Sequence, residues 1–134
     1  MDTATVTYLG GLRTECTHIR SGNVFLTDAP LDNNGKGEAF SPTDTVATGL
    51  ANCMLTVMGI KANQMDLSID GASAVVTKTM ASSPRRISEI KVVFRFPEGV
   101  SKKDQTILER TGNTCPVHYS LHPDIKKDIS FIWE

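Results

Sequence analysis

The segment from Ser41 to about Asn63 constrains this chain most. Val46, Leu50, Cys53, Met54, Val57 and Met58 recur at spacings of three and four, which places them on one face of a helix. The start of that helix is written in its first residues. Ser41 is a good N-cap, Pro42 suits the first helical position, and Asp44 completes a capping box of the Ser-x-x-acid type. A helix this long in a chain of 134 residues is expected to be the central core helix of one domain spanning 1–134. One sheet covers only one side of such a helix, and this helix is apolar over much of its surface. A second subunit is therefore expected on the other side, giving a homodimer.

The flanking segments read as strands. Thr5–Leu9 is β-branched and aromatic, and Gly10-Gly11 marks a bend or bulge. Arg13–Ile19 and Val24–Thr27 flank the hairpin signal Ser21-Gly22-Asn23. Asp32 to Gly37 is a loop by composition. After the helix, Leu67–Met80 reads as a strand interrupted by Gly71, and Pro84-Arg85 as a turn. Ile90, Val92, Phe94 and Phe96 then alternate with Lys91 and Arg95, the period of a half-buried strand. A second helix is expected from Ser101 to about Arg110, capped by Ser101 and Asp104. A short third one opens at Cys115-Pro116 and is ended by Pro123, and Ile129–Trp133 closes the chain as a strand. Leaving the short third helix aside, the order is βββ-α-ββ-α-β, an α+β fold with an antiparallel sheet wrapped around the long helix.

Composition narrows the function. Net charge is -1, so nothing favours electrostatic capture of nucleic acid or of an anionic membrane. No stretch reads as apolar for long enough to span a bilayer, and Met1–Thr5 lacks the basic and apolar regions of a signal peptide, so a cytoplasmic location is expected. Three cysteines, Cys16, Cys53 and Cys115, are too few for a disulfide framework but leave room for a cycling thiol pair.

Cys53 lies within the helix, where a cysteine is commonly a small core hydrophobe. To react from mid-helix it needs a nearby cation to stabilise its thiolate. Cys115 precedes Pro116 and sits at an expected N-cap, where unpaired N–H groups favour a thiolate; cysteine is otherwise not a preferred cap. Together the two suggest a peroxidatic and a resolving thiol, cycling through sulfenic acid and disulfide. That chemistry needs no metal or organic cofactor, and no Gly-rich phosphate loop is evident.

The run Phe40-Ser41-Pro42-Thr43-Asp44-Thr45-Val46-Ala47-Thr48-Gly49-Leu50-Ala51-Asn52-Cys53-Met54 resembles the first-cysteine helix of the OsmC/Ohr family, the osmotically inducible and organic-hydroperoxide-resistance proteins. Thr114-Cys115-Pro116-Val117 resembles the family's second-cysteine motif, and the element order matches over essentially the whole chain. The resemblance implies an intertwined homodimer with active sites at the subunit boundary. It also implies Cys53 as peroxidatic and Cys115 as resolving residue, and reduction of organic hydroperoxides with recycling by a dithiol, lipoyl groups in some members.

Family peroxidases add an arginine from the N-terminal strands and a glutamate near the start of the cysteine helix. Arg13 is the nearest match to the arginine, with Arg20 as the alternative. The glutamate position holds Thr43, and Asp44 follows one residue later. Asp44 and Cys53 are nine positions apart, so at ~100° and ~1.5 Å per residue they fall on opposite helix faces about 13 Å apart. Asp44 is thus either a partner for the arginine or a second subunit's site, or simply the helix cap. Thr43 also leaves open a redox-sensing or small-molecule-binding dimer with weak peroxidase activity. Cys16 is expected to be structural, and Cys115, His118 and His122 form a run with the look of metal-ligand spacing but no evident fourth ligand.

Overall fold

The N-terminal strand signals resolve into a three-stranded antiparallel sheet in the computed structural model, which describes all residues from Met1 to Glu134. The chain groups into two compact units, Met1–Val46 and Ala47–Glu134. In the first, β1 (Ala4–Gly10) pairs with β2 (Arg13–His18), which pairs with β3 (Val24–Asp28). The glycine pair does what its composition suggests. Gly10 and Gly11 take φ of 85° and 63°, where a side chain is strained, and the register shifts between Tyr8 and Gly10. A single 3-10 turn at Leu31–Asn33 follows, in the segment read as loop. The amides of Asn33 and Gly35 both donate to the Pro30 carbonyl.

Helix α1 (Pro42–Gln64) begins where its cap predicts. The Ser41 amide donates to Asp44 Oδ2 at 2.9 Å, and the Asp44 amide donates to Ser41 Oγ at 3.1 Å, a reciprocal capping box. With 23 residues and a mean hydropathy of 1.2 over its most apolar window, α1 does reach the length and composition of a membrane span, which corrects the sequence reading on that point. Its buried stripe accounts for this: Ala47, Leu50, Ala51, Met54, Met58 and Ala62 enter the protein core. A core helix passes the same test of length and composition.

In the second unit, β4 (Ser73–Ala81) pairs antiparallel with β5 (Arg86–Phe96), and β6 (Lys126–Trp133) joins β5 in parallel. The strands form two sheets where one was expected; the antiparallel expectation holds for β1–β2, β2–β3 and β4–β5, while the β5–β6 pairing differs. A parallel return needs a crossover, and α2 (Lys102–Gly112) and α3 (Pro116–Ser120) supply it. Two boundaries also move. The strand expected from Leu67 starts only at Ser73, because Asp66 and Gly71 take φ of 56° and 88° and turn the backbone. Helix α3 stops at Ser120, three residues before Pro123.

Ile87, Ile90, Val92, Phe94 and Phe96 of β5 are buried, the alternation read from the sequence with one irregular step opposite the Thr79–Met80 bulge. They meet Leu50, Met54 and Met58 of α1 and Leu108 of α2 in one cluster. Each such side chain contributes about 1.5–3 kcal/mol when fully buried. Phe94, Phe96, Phe131 and Trp133 stack along β5 and β6, and Trp133 Nε1 donates to Glu109 Oε2 at 2.9 Å, fastening β6 to α2.

Candidate thiol site

Cys53 projects from the edge of the buried stripe of α1 and is partly exposed, while packing against the core. Cys115 is fully buried as the N-cap of α3, and its sulfur accepts the His118 amide at 3.2 Å. The fold brings these two residues, distant in sequence, near enough for their thiols to influence each other, and both thiols are free. Burial, foremost, pushes the Cys115 thiol above its ordinary range. The amides of His118 and Val117 pull it down, while the neighbouring Cys53 thiol pushes it further up. This corrects the expectation that the cap position would favour a thiolate there. Helix α3 has only 5 residues, and the cost of burying a charge outweighs its few amide dipoles. The chemistry is asymmetric as a result: a buried, protonated thiol beside a partly exposed one.

His118 is half-buried, and burial with the nearby Lys127 charge lowers its pKa, so the ring is neutral at pH 7. His122 Nδ1 accepts the Asp124 amide at 3.0 Å. No three His, Cys, Asp or Glu side chains gather in a group able to hold a metal ion, so the Cys115-His118-His122 run does not converge on one. Cys16 lies in β2, partly buried, on the sheet face that also carries Val6 and Phe25.

In the first unit Arg13 and Asp28 stand directly opposite each other across β2 and β3. Arg13 Nε donates to Oδ1 of Asp28 at 3.3 Å and Nη2 to Oδ2 at 3.0 Å, a two-point ion pair. The Glu38 amide adds a third donor to Oδ2 at 3.0 Å. The Asp28 carboxylate is 1% exposed. Its pKa is held below the usual range, chiefly by the Arg13 hydrogen bond and then by the Glu38 amide, and the Arg13 pKa is raised in turn, chiefly by that same bond. Arg20, the other candidate, is exposed in the β2–β3 turn. Asp44 occupies the α1 cap, and the Thr43 hydroxyl lies 3.3 Å from that of Ser41. Asp28 was not singled out from the sequence. Only the register of the hairpin puts it opposite Arg13.

The fold is of the α+β class, with one free thiol on its core helix and another at the cap of the short helix α3. The chain is a member of the OsmC-like protein family, whose model matches residues 35–130. It is similar, at 52% identity, to a protein from Psychrobacter arcticus 273-4 provisionally described as an osmotic stress induced and detoxification response protein. The TM-score is 0.94, covering 98% of this chain and 96% of that one. An OsmC-like protein from Mycoplasma pneumoniae has a TM-score of 0.80 at 17% identity, covering 97% of this chain and 94% of the other. An organic hydroperoxide resistance protein OsmC from Legionella pneumophila has a TM-score of 0.72 at 17% identity, covering 98% of each. The last two show the fold alone. No curated protein matches the chain.

Proposed function

We propose that this protein is a thiol-dependent peroxidase that reduces organic hydroperoxides in the cytoplasm, with Cys53 as attacking and Cys115 as resolving residue. The observation that carries the reading is the placement of two free thiols in one core region, Cys115 buried with its pKa raised and Cys53 partly exposed and packed against the same cluster. The Cys53 thiolate attacks the outer peroxide oxygen, the O–O bond breaks, and the alkoxide leaves as alcohol after taking up a proton. The Cys53 sulfenic acid then condenses with the Cys115 thiol, forming the S–S bond and releasing water. An external dithiol, lipoyl groups among the candidates, reduces that disulfide and is itself oxidised. Arg13 is assigned as the site arginine that the family resemblance implies. Asp44, the capping-box acid at the start of the Cys53 helix, is assigned as the carboxylate of the site. The working unit is a homodimer.

Purified protein is expected to consume cumene hydroperoxide with a dithiol as reductant, and Cys53→Ser to abolish this. After one equivalent of peroxide, mass spectrometry is expected to find Cys53 joined to Cys115. Equal rates for wild type and Cys53→Ser would end the peroxidase reading. Thr43, at the position where family peroxidases carry glutamate, motivates a second reading, a redox-sensing or ligand-binding dimer with weak activity. A Cys53 pKa near the unperturbed ~8.5, read from pH-dependent alkylation, would favour it.

A further inference from the structure

We infer that Asp28 is a positioning residue for the proposed peroxidase reaction, orienting the Arg13 guanidinium from one edge so that its other edge is presented for chemistry. The inference rests on the assignment of Arg13 made above. A guanidinium carries five N–H groups in a fixed fork. Asp28 engages the Nε–H and one Nη2 hydrogen, which leaves the two Nη1 hydrogens and the outer Nη2 hydrogen on the far edge. Arginine is otherwise a flexible side chain, and two parallel bonds fix both its place and its plane.

Asp28 is itself fixed. It ends β3, its amide donates to the Phe40 carbonyl at 2.9 Å, and its carboxylate takes the Glu38 amide as well as Arg13. A carboxylate only 1% exposed is costly to bury, and buried ion pairs are weak sources of stability. What the arrangement does supply is orientation: Asp28 is sealed, whereas the Arg13 side chain remains 32% exposed and able to meet a ligand.

The test is a cycle of variants, with the rate of Cys53 oxidation by cumene hydroperoxide measured by quenched flow and mass spectrometry. Arg13→Ala, Asp28→Asn and the double variant are compared, with thermal unfolding of each followed in parallel. Misplacing a reacting group by about 1 Å costs up to roughly 100-fold, so Asp28→Asn is expected to slow oxidation roughly 10- to 100-fold. In the double variant the rate is expected to equal that of Arg13→Ala, because Asp28 acts only through the arginine. Asp28→Glu, which keeps the charge, is expected to recover part of the loss. Asn retains the size of Asp28 and an acceptor for Glu38; if it does not fold, Asp28→Ser is measured against wild type and Arg13→Ala instead, a rate equal to wild type overturning the inference. A full rate in Asp28→Asn with Arg13→Ala slow, or losses that add in the double variant, would equally overturn it. An unchanged rate in Arg13→Ala itself would instead remove the assignment of Arg13.

Discussion

A buried thiol and a buried carboxylate carry the pH behaviour of this protein in opposite directions. Cys115 has a raised pKa in the fold, first from burial. Above about pH 8.5 the unfolded chain sheds this proton while the folded one keeps it, so unfolding becomes more favourable as pH rises through the folded value. Urea unfolding between pH 7 and 10 is expected to show this loss in wild type and a smaller one in Cys115→Ala. Asp28 has a lowered pKa, chiefly from its hydrogen bond to Arg13. Its contribution is present above the unfolded value of about 3.9 and is lost as pH falls through the folded one. Acid unfolding of Asp28→Asn is expected to be shallower below about pH 4 than that of wild type, checked by circular dichroism. Cys53, Cys115 and the Asp44 cap were legible at this scale because local patterns mark them. The raised pKa of Cys115 and the Arg13–Asp28 pair were not, since the first depends on burial and the second on a cross-strand neighbour.

Elements were legible where a period or a cap wrote them out. Helix α1 and β5 follow their apolar spacing, and α2 begins one residue after the Ser101 cap, whose hydroxyl accepts the Asp104 amide at 3.2 Å. The start of β4 and the direction of β6 were not legible. Backbone turns at Asp66 and Gly71 fix the first, and the crossover through α2 and α3 fixes the second. The segment from Pro30 to Gly37 shows why loop composition alone is coarse. It reads as loop, yet Gly35 is held so close to Ala29 that a Cβ there would fall on the Ala29 carbonyl. Backbone has no rotamer by which to yield. Gly35→Ala is expected to cost more than about 2 kcal/mol, measured by chemical denaturation. Gly49→Ala in α1, where no atom lies within 4 Å of the added carbon, is expected to be neutral or to stabilise by up to about 1 kcal/mol.

At the scale of the whole molecule, the exposed apolar residues argue for association. All of β1 is exposed, with Val6 and Tyr8 each at 64%, and Phe25 of β3 stands at 53%. Register puts Val6 beside Cys16 and Cys16 beside Phe25, and Tyr8 beside Thr14, so these residues share one face of the sheet. Helix α1 adds Val46 at 44% and Ile60 at 53%. Single exposed apolar residues are ordinary, but a contiguous sheet face of them is a mark of an interaction surface. Equilibrium sedimentation is expected to give twice the 14.6 kDa mass of one chain. Charge placed at the centre of the face tests the cause. Val6→Glu with Phe25→Lys is expected to shift the protein to monomer, because each charge has to be desolvated for the surfaces to meet. The same variant is expected to lose thermal stability, and the loss should grow on dilution of wild type as well, since a linked dimer unfolds at a temperature that depends on its concentration. A wild-type protein that sediments as a monomer at every concentration, with a concentration-independent melting temperature, would leave this face without the partner its composition calls for.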